Sequence, residues 1–403
     1  MTQATTAMDA NDVDETDETA ATPADEADEA DGSETSAEFD SSAAAVSRKA
    51  AHELLIDLVS TPSPSGEEDA AAEVLVDFFE AHDREVRIDE VGNVHAPADD
   101  AVLLTSHIDT VPGEIPVRVE PASDEDVDAE VAAAGEDVLW GRGSVDATGP
   151  LAAMAVAAVT TGVSFVGVVG EETDSRGARH LVTERDAPEA VVNGEPSGAD
   201  GITLGYRGFL AGTYVATSES GHTSRPEPNA IQQAIRWWSA VEEAFESDDY
   251  EPVFEQVTAK PVSLEGGTTE DGLSVEATLE AQLRIPPSLD AEAVREVAEA
   301  TLEVGTVSWR EPIPPVMESP RTEIARAFRV AIRQEGGEPR LLRKTGTSDM
   351  NLYAGAWDCP MVTYGPGDSN LDHTPDERLS LADYECSIAV LERVGNTLRG
   401  EDA

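Results

Sequence analysis

Histidine and carboxylate residues recur in this chain where buried apolar runs end, and together those residue types form the donor set of divalent-metal chemistry. His107 follows the apolar run 102–104, with Asp109 two residues on. A ligating imidazole needs its second ring nitrogen held, commonly by a carboxylate, so the two read as ligand and orienter. Asp146 ends the glycine-flanked turn Trp140-Gly-Arg-Gly-Ser-Val-Asp146, just before an apolar helical pattern. Glu171 and Glu172 emerge together after the run 164–169, Glu195 follows the run 190–192, and Asp372-His373-Thr-Pro supplies a second imidazole near the C-terminus. Two imidazoles and several carboxylates at element ends suit two divalent ions of the zinc or cobalt type that share a bridging carboxylate. Each feature alone carries little. A loop histidine is commonly a structural residue, and a Glu-Glu pair in a chain with 82 acidic residues is commonly solvated. His52, His82, His95 and His180 fall in no such pattern and read as ordinary residues.

The elements that must position these groups alternate. Helical spacing runs from Val46 to the turn Thr61-Pro-Ser-Pro-Ser-Gly66, and a second helix spans 67–79. Short apolar strands at 102–104, 164–169 and 190–192 alternate with helices at 149–161 and 178–183, the pattern of an α/β layer with a largely parallel sheet. From Gly208 the order becomes strand 209–217, helix 229–245 opened by the N-cap Asn229, strand 252–262, strand 273–284, helix 291–302 and strand 305–309. This β-α-β-β-α-β order matches a ferredoxin-like module. The first kind of pattern resumes at Pro320. The expected organisation is a disordered acidic tail at 1–45, a catalytic α/β domain formed by 46–207 and 318–403, and an inserted α+β lid or dimerisation domain at 208–317.

Composition excludes several function classes. A chain of 403 residues, 40% hydrophobic, favours two domains over one core. No stretch approaches the ~18 consecutive apolar residues of a membrane span, and no basic start with an apolar run marks a secretory signal, so the expected location is the cytoplasm. Acids outnumber bases 82 to 26, for a formal charge of −56, and Lys49, Lys260 and Lys344 are the only lysines. The excess is spread along the chain, which points to adaptation to molar salt, where screening is short-ranged. Binding to nucleic-acid phosphates would need basic clusters that are absent. Cys359 and Cys386 make neither a disulfide framework nor a zinc-type spacing.

Taken in order, His107-Ile-Asp109-Thr-Val-Pro, Gly141-Arg-Gly-Ser-Val-Asp146, Gly170-Glu-Glu172, Gly194-Glu195-Pro and Asp372-His373-Thr-Pro resemble the M20 metallopeptidase and amidohydrolase superfamily. The strings 194–208, 344–352 and 364–373 are similar to one branch, the amino-group-carrier-protein-lysine/ornithine hydrolases of lysine and arginine biosynthesis. The resemblance implies a zinc-peptidase-like catalytic domain. It implies that His107, Asp146 and Glu195 bind one metal and Asp146, Glu172 and His373 the other, with Glu171 as general base and a cis bond after Asp146. It further implies a lid histidine, His222, that reaches the neighbouring subunit in a homodimer, and Arg284 as the grip on a substrate carboxylate, with Arg207, Gly346 and Thr347 as further substrate contacts. The implied partner is an acidic carrier protein that holds lysine or ornithine on its terminal glutamate. Two alternatives stay open. One is an enzyme of the same fold acting on N-acetylornithine, succinyl-diaminopimelate or a dipeptide, and the other is a non-catalytic binding protein that keeps the fold.

Overall fold

The computed structural model describes residues 45–121, 137–246 and 252–401, so the expected tail, save Ala45, lies outside the described residues. Among the described residues the main sheet has nine strands. Its centre is strand β3 (Asp99–His107), whose neighbours β6 (Val163–Val168) and β7 (Val191–Gly194) both run parallel to it. Beyond β7 lie β15 (Met361–Thr363) and β8 (Gly201–Tyr206), and β14 (Arg340–Lys344) pairs with β8 in parallel. The antiparallel hairpin of β1 (Arg87–Ile88) and β2 (Val94–Ala96) closes the β6 side.

Both faces of this sheet are covered, which explains why its strands read as continuous apolar runs. Val102 and Leu104 of β3 face a core built with helices α1 (Arg48–Ser60), α2 (Asp69–Ala81), α3 (Thr148–Thr161), α7 (Glu323–Gln334) and α9 (Leu381–Leu398). Leu103 points the other way, into a second core with α4 (Arg176–Glu184) and α8 (Asp349–Ala356). Helix α3 is buried at every position except Thr160, because it lies between the sheet and helices α1 and α9. A small three-stranded sheet of β4 (Arg118–Pro121), β5 (Asp137–Trp140) and β16 (Arg378–Ser380) flanks it.

The inserted module has its own core. Strands β9 (Gly208–Glu219), β10 (Thr258–Thr268), β11 (Ser274–Ile285) and β12 (Thr306–Trp309) form an antiparallel sheet ordered β10-β11-β9-β12. Helices α5 (Ala230–Phe245) and α6 (Ala291–Ala300) cover one face, with the Trp237 ring stacked on Tyr214 at 4.8 Å. Asn229 caps α5 as its residue type indicates, in a reciprocal capping box with Gln232. The strand expected at 252–262 differs: residues 253–255 form a 3₁₀ turn and β10 begins at Thr258. Its register with β11 slips between Pro261 and Ser263, where a proline has no N–H to give the ladder. The main sheet resumes at β13 (Val316–Met317), which pairs with the end of β8.

Candidate metal centre

Three adjacent parallel strands deliver the first side chains. β3 ends on His107, level with Val168 of β6, and Ser106 lies level with Gly194 of β7. The residues just past the ends of β6 and β7 are therefore Glu171, Glu172 and Glu195, gathered at the carboxyl edge where such sheets place their sites. Asp146 arrives from the turn that precedes α3, and the bond to Ala147 is cis, as the family resemblance implies. That turn needs Gly143: its φ is +80°, and a Cβ there would sit 2.6 Å from Thr110 Cγ2 and from Thr148 Oγ1. His373 comes from the loop between β15 and β16, itself in the left-handed region at φ 58°.

These elements bring four of the expected ligands into direct contact. His107 Nε2 lies 3.1 Å from Asp146 Oδ1, while His373 Nε2 lies 3.0 Å from Asp146 Oδ2 and 3.1 Å from Glu172 Oε1. Asp146 thus turns one oxygen to each imidazole. One donor atom each of His107, Asp146 and Glu172 lies within 4.8 Å of the others. Glu171 and Glu195 line the same cavity as Asp146, Glu172 and His373.

The charges of this cluster perturb one another strongly. Burial would raise the Asp146 carboxyl, but hydrogen bonds from His107 and His373 hold it well below the usual carboxylate range. Burial would lower His107, yet Asp146 keeps it well above the ordinary imidazole value, and Asp146 and then Glu172 raise His373 to about 10. Burial, reinforced by the Asp146 charge, pushes Glu195 up to about 8, and burial with Glu195 nearby pushes Glu171 well up. Two imidazoles are too little counter-charge for four crowded carboxylates. Divalent cations fit this set, because the same nitrogen and oxygen atoms bind metal only once deprotonated, so a cation takes the place of shared protons.

Asp109 departs from the expected orienter. His107 Nδ1 donates to the Asp109 backbone carbonyl at 2.7 Å, and the Asp109 carboxylate is 3.7 Å away. That carboxylate, fully buried, instead accepts the backbone N–H groups of Glu171 at 3.0 Å and Glu172 at 3.1 Å, with the Ser65 hydroxyl at 2.6 Å. It anchors the loop that carries both glutamates. The reason is geometric: β3 and β6 are paired neighbours, so the segments leaving them run side by side.

The cavity beside the cluster measures about 980 Å³ and receives Arg284, Gly346 and Thr347 on its wall. The Arg284 guanidinium stacks over Phe209 at 4.7 Å and donates to Thr347 Oγ1 at 3.3 Å, which joins the inserted module to the β14–α8 connection. Arg207 corrects an expectation. It lies outside the cavity lining, 5% exposed, with Nε donated to Thr345 O at 3.0 Å and Nη1 to Val253 O, Gln256 O and Thr258 Oγ1. Those donors are engaged within the protein, so Arg207 supports the wall from behind. His222 lines a different cavity at the tip of the inserted module, where its Nδ1 accepts the Ser224 N–H at 3.2 Å.

Two acids at the site carry no signal in the sequence. Glu377, four residues past His373, is fully buried and accepts the N–H groups of Val145 and Asp146. Asp349, in the turn that opens α8, is also buried, and burial pushes its carboxyl up to about 6. In a chain with 82 acids neither stands out by type or spacing.

Among known proteins, the model of Peptidase family M20/M25/M40 matches residues 103–396. A LysW-lysine hydrolase of Deinococcus radiodurans is 39% identical over 85% of this chain and 95% of its own. A LysW-lysine/LysW-ornithine hydrolase of Sulfurisphaera tokodaii is 30% identical over 83% of this chain and 92% of its own. A solved tripeptidase from Staphylococcus aureus shares the fold with a TM-score of 0.68, at 20% identity, over 88% of this chain and 100% of its own.

The anchoring geometry makes a specific demand on Asp109. In Asp109→Asn one oxygen becomes an NH₂ that faces a buried N–H, a loss of about 1–3 kcal/mol. Steady-state kinetics should show kcat lowered by roughly 10- to 100-fold with metal content unchanged, in line with other residues that orient a metal site. A kcat within twofold of the parent would mean that the loop holds its place without this carboxylate.

Proposed function

This chain belongs to peptidase family M20, and we propose that it is a two-metal hydrolase that releases lysine or ornithine from the γ-carboxyl of the terminal glutamate of an amino-group carrier protein. Two relatives whose names state this kind of substrate align over most of both chains. The observation that carries the substrate class is where the cations gather. Of only 26 basic residues, Arg176, Arg179, Arg284, Arg310, Arg343 and Lys344 line the cavity beside the Asp146 cluster. Arg176, Arg179 and Arg343 pair with Glu68, Glu311 and Glu255. Arg284, Arg310 and Lys344 make no ion pair among the described residues, which leaves them to meet the carboxylates of an acidic chain end and of the departing amino acid.

In this reading His107, Asp146 and Glu195 hold one zinc or cobalt ion, and Asp146, Glu172 and His373 hold the other. When bound, the pair would lower the pKa of a shared water and polarise the scissile carbonyl. Glu171, which the ligand set leaves unused, takes a proton from the attacking water and returns it to the departing amine. Its burial beside Glu195 raises its affinity for that proton. Arg284, steadied by Phe209 and Thr347, grips the α-carboxylate of the leaving lysine or ornithine. His222 serves a second copy of the chain in a homodimer, consistent with its place away from the cavity of its own chain.

Purified protein supplied with zinc or cobalt in molar KCl should release ornithine or lysine from the carrier conjugate, and far more slowly from N²-acetylornithine. Turnover of the acetyl compound alone would reject the carrier in favour of a free acylated amino acid. Glu171→Ala should keep both ions by metal analysis while hydrolysis falls by about 10²- to 10⁴-fold, the usual worth of a general base. Unchanged hydrolysis would remove Glu171 from the reaction.

A further inference from the structure

We propose that Glu377 is a positioning residue that locks the Asp146 turn to the His373 loop, so that the shared carboxylate is presented between the two imidazoles. The inference rests on the two-ion reading of the site. Glu377 is fully buried, and its two oxygens have separate tasks. Oε1 accepts the N–H of Val145 at 3.0 Å and of Asp146 at 3.1 Å. Oε2 accepts Arg142 Nη1 at 2.7 Å, and the Arg142 Nε donates to Gly113 O at 3.3 Å. The Glu377 backbone carbonyl completes the tie by accepting the Gly141 N–H at 3.4 Å. One residue therefore fixes both ends of the 141–146 segment.

The consequence lies in what each segment carries. Residues 141–146 end on the carboxylate that faces both histidines, and Glu377 stands four residues beyond His373 in the loop that supplies the exposed imidazole. His373 has a side chain 52% exposed, so packing alone does not hold it, whereas Glu377 is buried and bonded. Glu377 makes no hydrogen bond to either histidine side chain and does not itself line the cavity; its link to the site is the backbone of Asp146. It acts through the peptide N–H groups of the Asp146 turn, in the same manner as Asp109 on the Glu171–Glu172 loop.

Two variants and two readouts test this. Hydrogen exchange on the metal-free protein should show the Val145 and Asp146 amides losing at least tenfold in protection in Glu377→Ala, with β3, β6 and β7 unaffected. Metal titration should show affinity for both ions lowered, by about 10- to 100-fold, because Asp146 is shared between them, with kcat reduced in step and KM within threefold. Glu377→Gln keeps one oxygen for the N–H groups but turns an NH₂ toward Arg142. It should show the same pattern at about half the logarithmic effect, roughly 3- to 10-fold in amide protection and in metal affinity, and it decides the matter if the alanine variant does not fold. Unchanged amide protection and unchanged metal affinity in the folded variant would overturn the proposal. So would a uniform loss of protection across the central strands, which would make Glu377 a general stabiliser. Amide protection is read without metal, so failure of the two-ion reading would show separately, as parent protein that binds fewer than two ions.

Discussion

The Asp146 carboxylate, caught between His107 at 3.1 Å and His373 at 3.0 Å, is the constraint around which the catalytic domain is organised. A carboxylate has only two oxygens, and here each is committed to a different imidazole from a distant part of the chain. Burial makes the arrangement exacting, because charges removed from water interact strongly and are costly when left unmatched. The turn that carries Asp146 accordingly tolerates no side chain at Gly143, and its peptide N–H groups are held by a buried glutamate.

The parallel sheet solves the rest of the problem by adjacency. Strands β6, β3 and β7 are consecutive neighbours and end at one level, so residues some sixty to ninety positions apart in sequence emerge side by side. Buried carboxylates that accept backbone N–H groups then set the loops beyond the strand ends: Asp109 for the glutamate pair and Glu377 for the Asp146 turn. The inserted module contributes Arg284 to the lining of the cavity, where its hydrogen bond to Thr347 links the module to the β14–α8 connection. In a chain of formal charge −56, Arg284, Arg310 and Lys344 line this cavity without an ion pair among the described residues.

Much of this was legible in the sequence because the strands are covered on both faces. Their apolar runs mark where they end: His107 closes β3, and Glu172 and Glu195 stand just past the ends of β6 and β7. Helix α5 was legible for a local reason, since Asn229 and Gln232 cap it within one turn. Strands β1, β4, β5, β13 and β16 were not, because two to four residues are too few to display a period. The partners of Asp109 and Glu377 were hidden for another reason. At Asn229 the backbone N–H it accepts is three residues away and the local spacing shows it, whereas the N–H groups bound by Asp109 and Glu377 sit on loops far away in sequence, where no local spacing marks the bond. For Arg207, which the family resemblance implies as a substrate contact, the partners Thr345, Val253 and Thr258 converge on the guanidinium only in the folded chain.

A single carboxylate serving two ions has a direct signature in metal stoichiometry. Zinc or cobalt content after exhaustive gel filtration should be two per chain for the parent, one for His373→Ala, and none for Asp146→Ala with its fold intact by circular dichroism. An Asp146→Ala protein that still retained two tightly bound ions would contradict the shared role and, with it, the reading of the site.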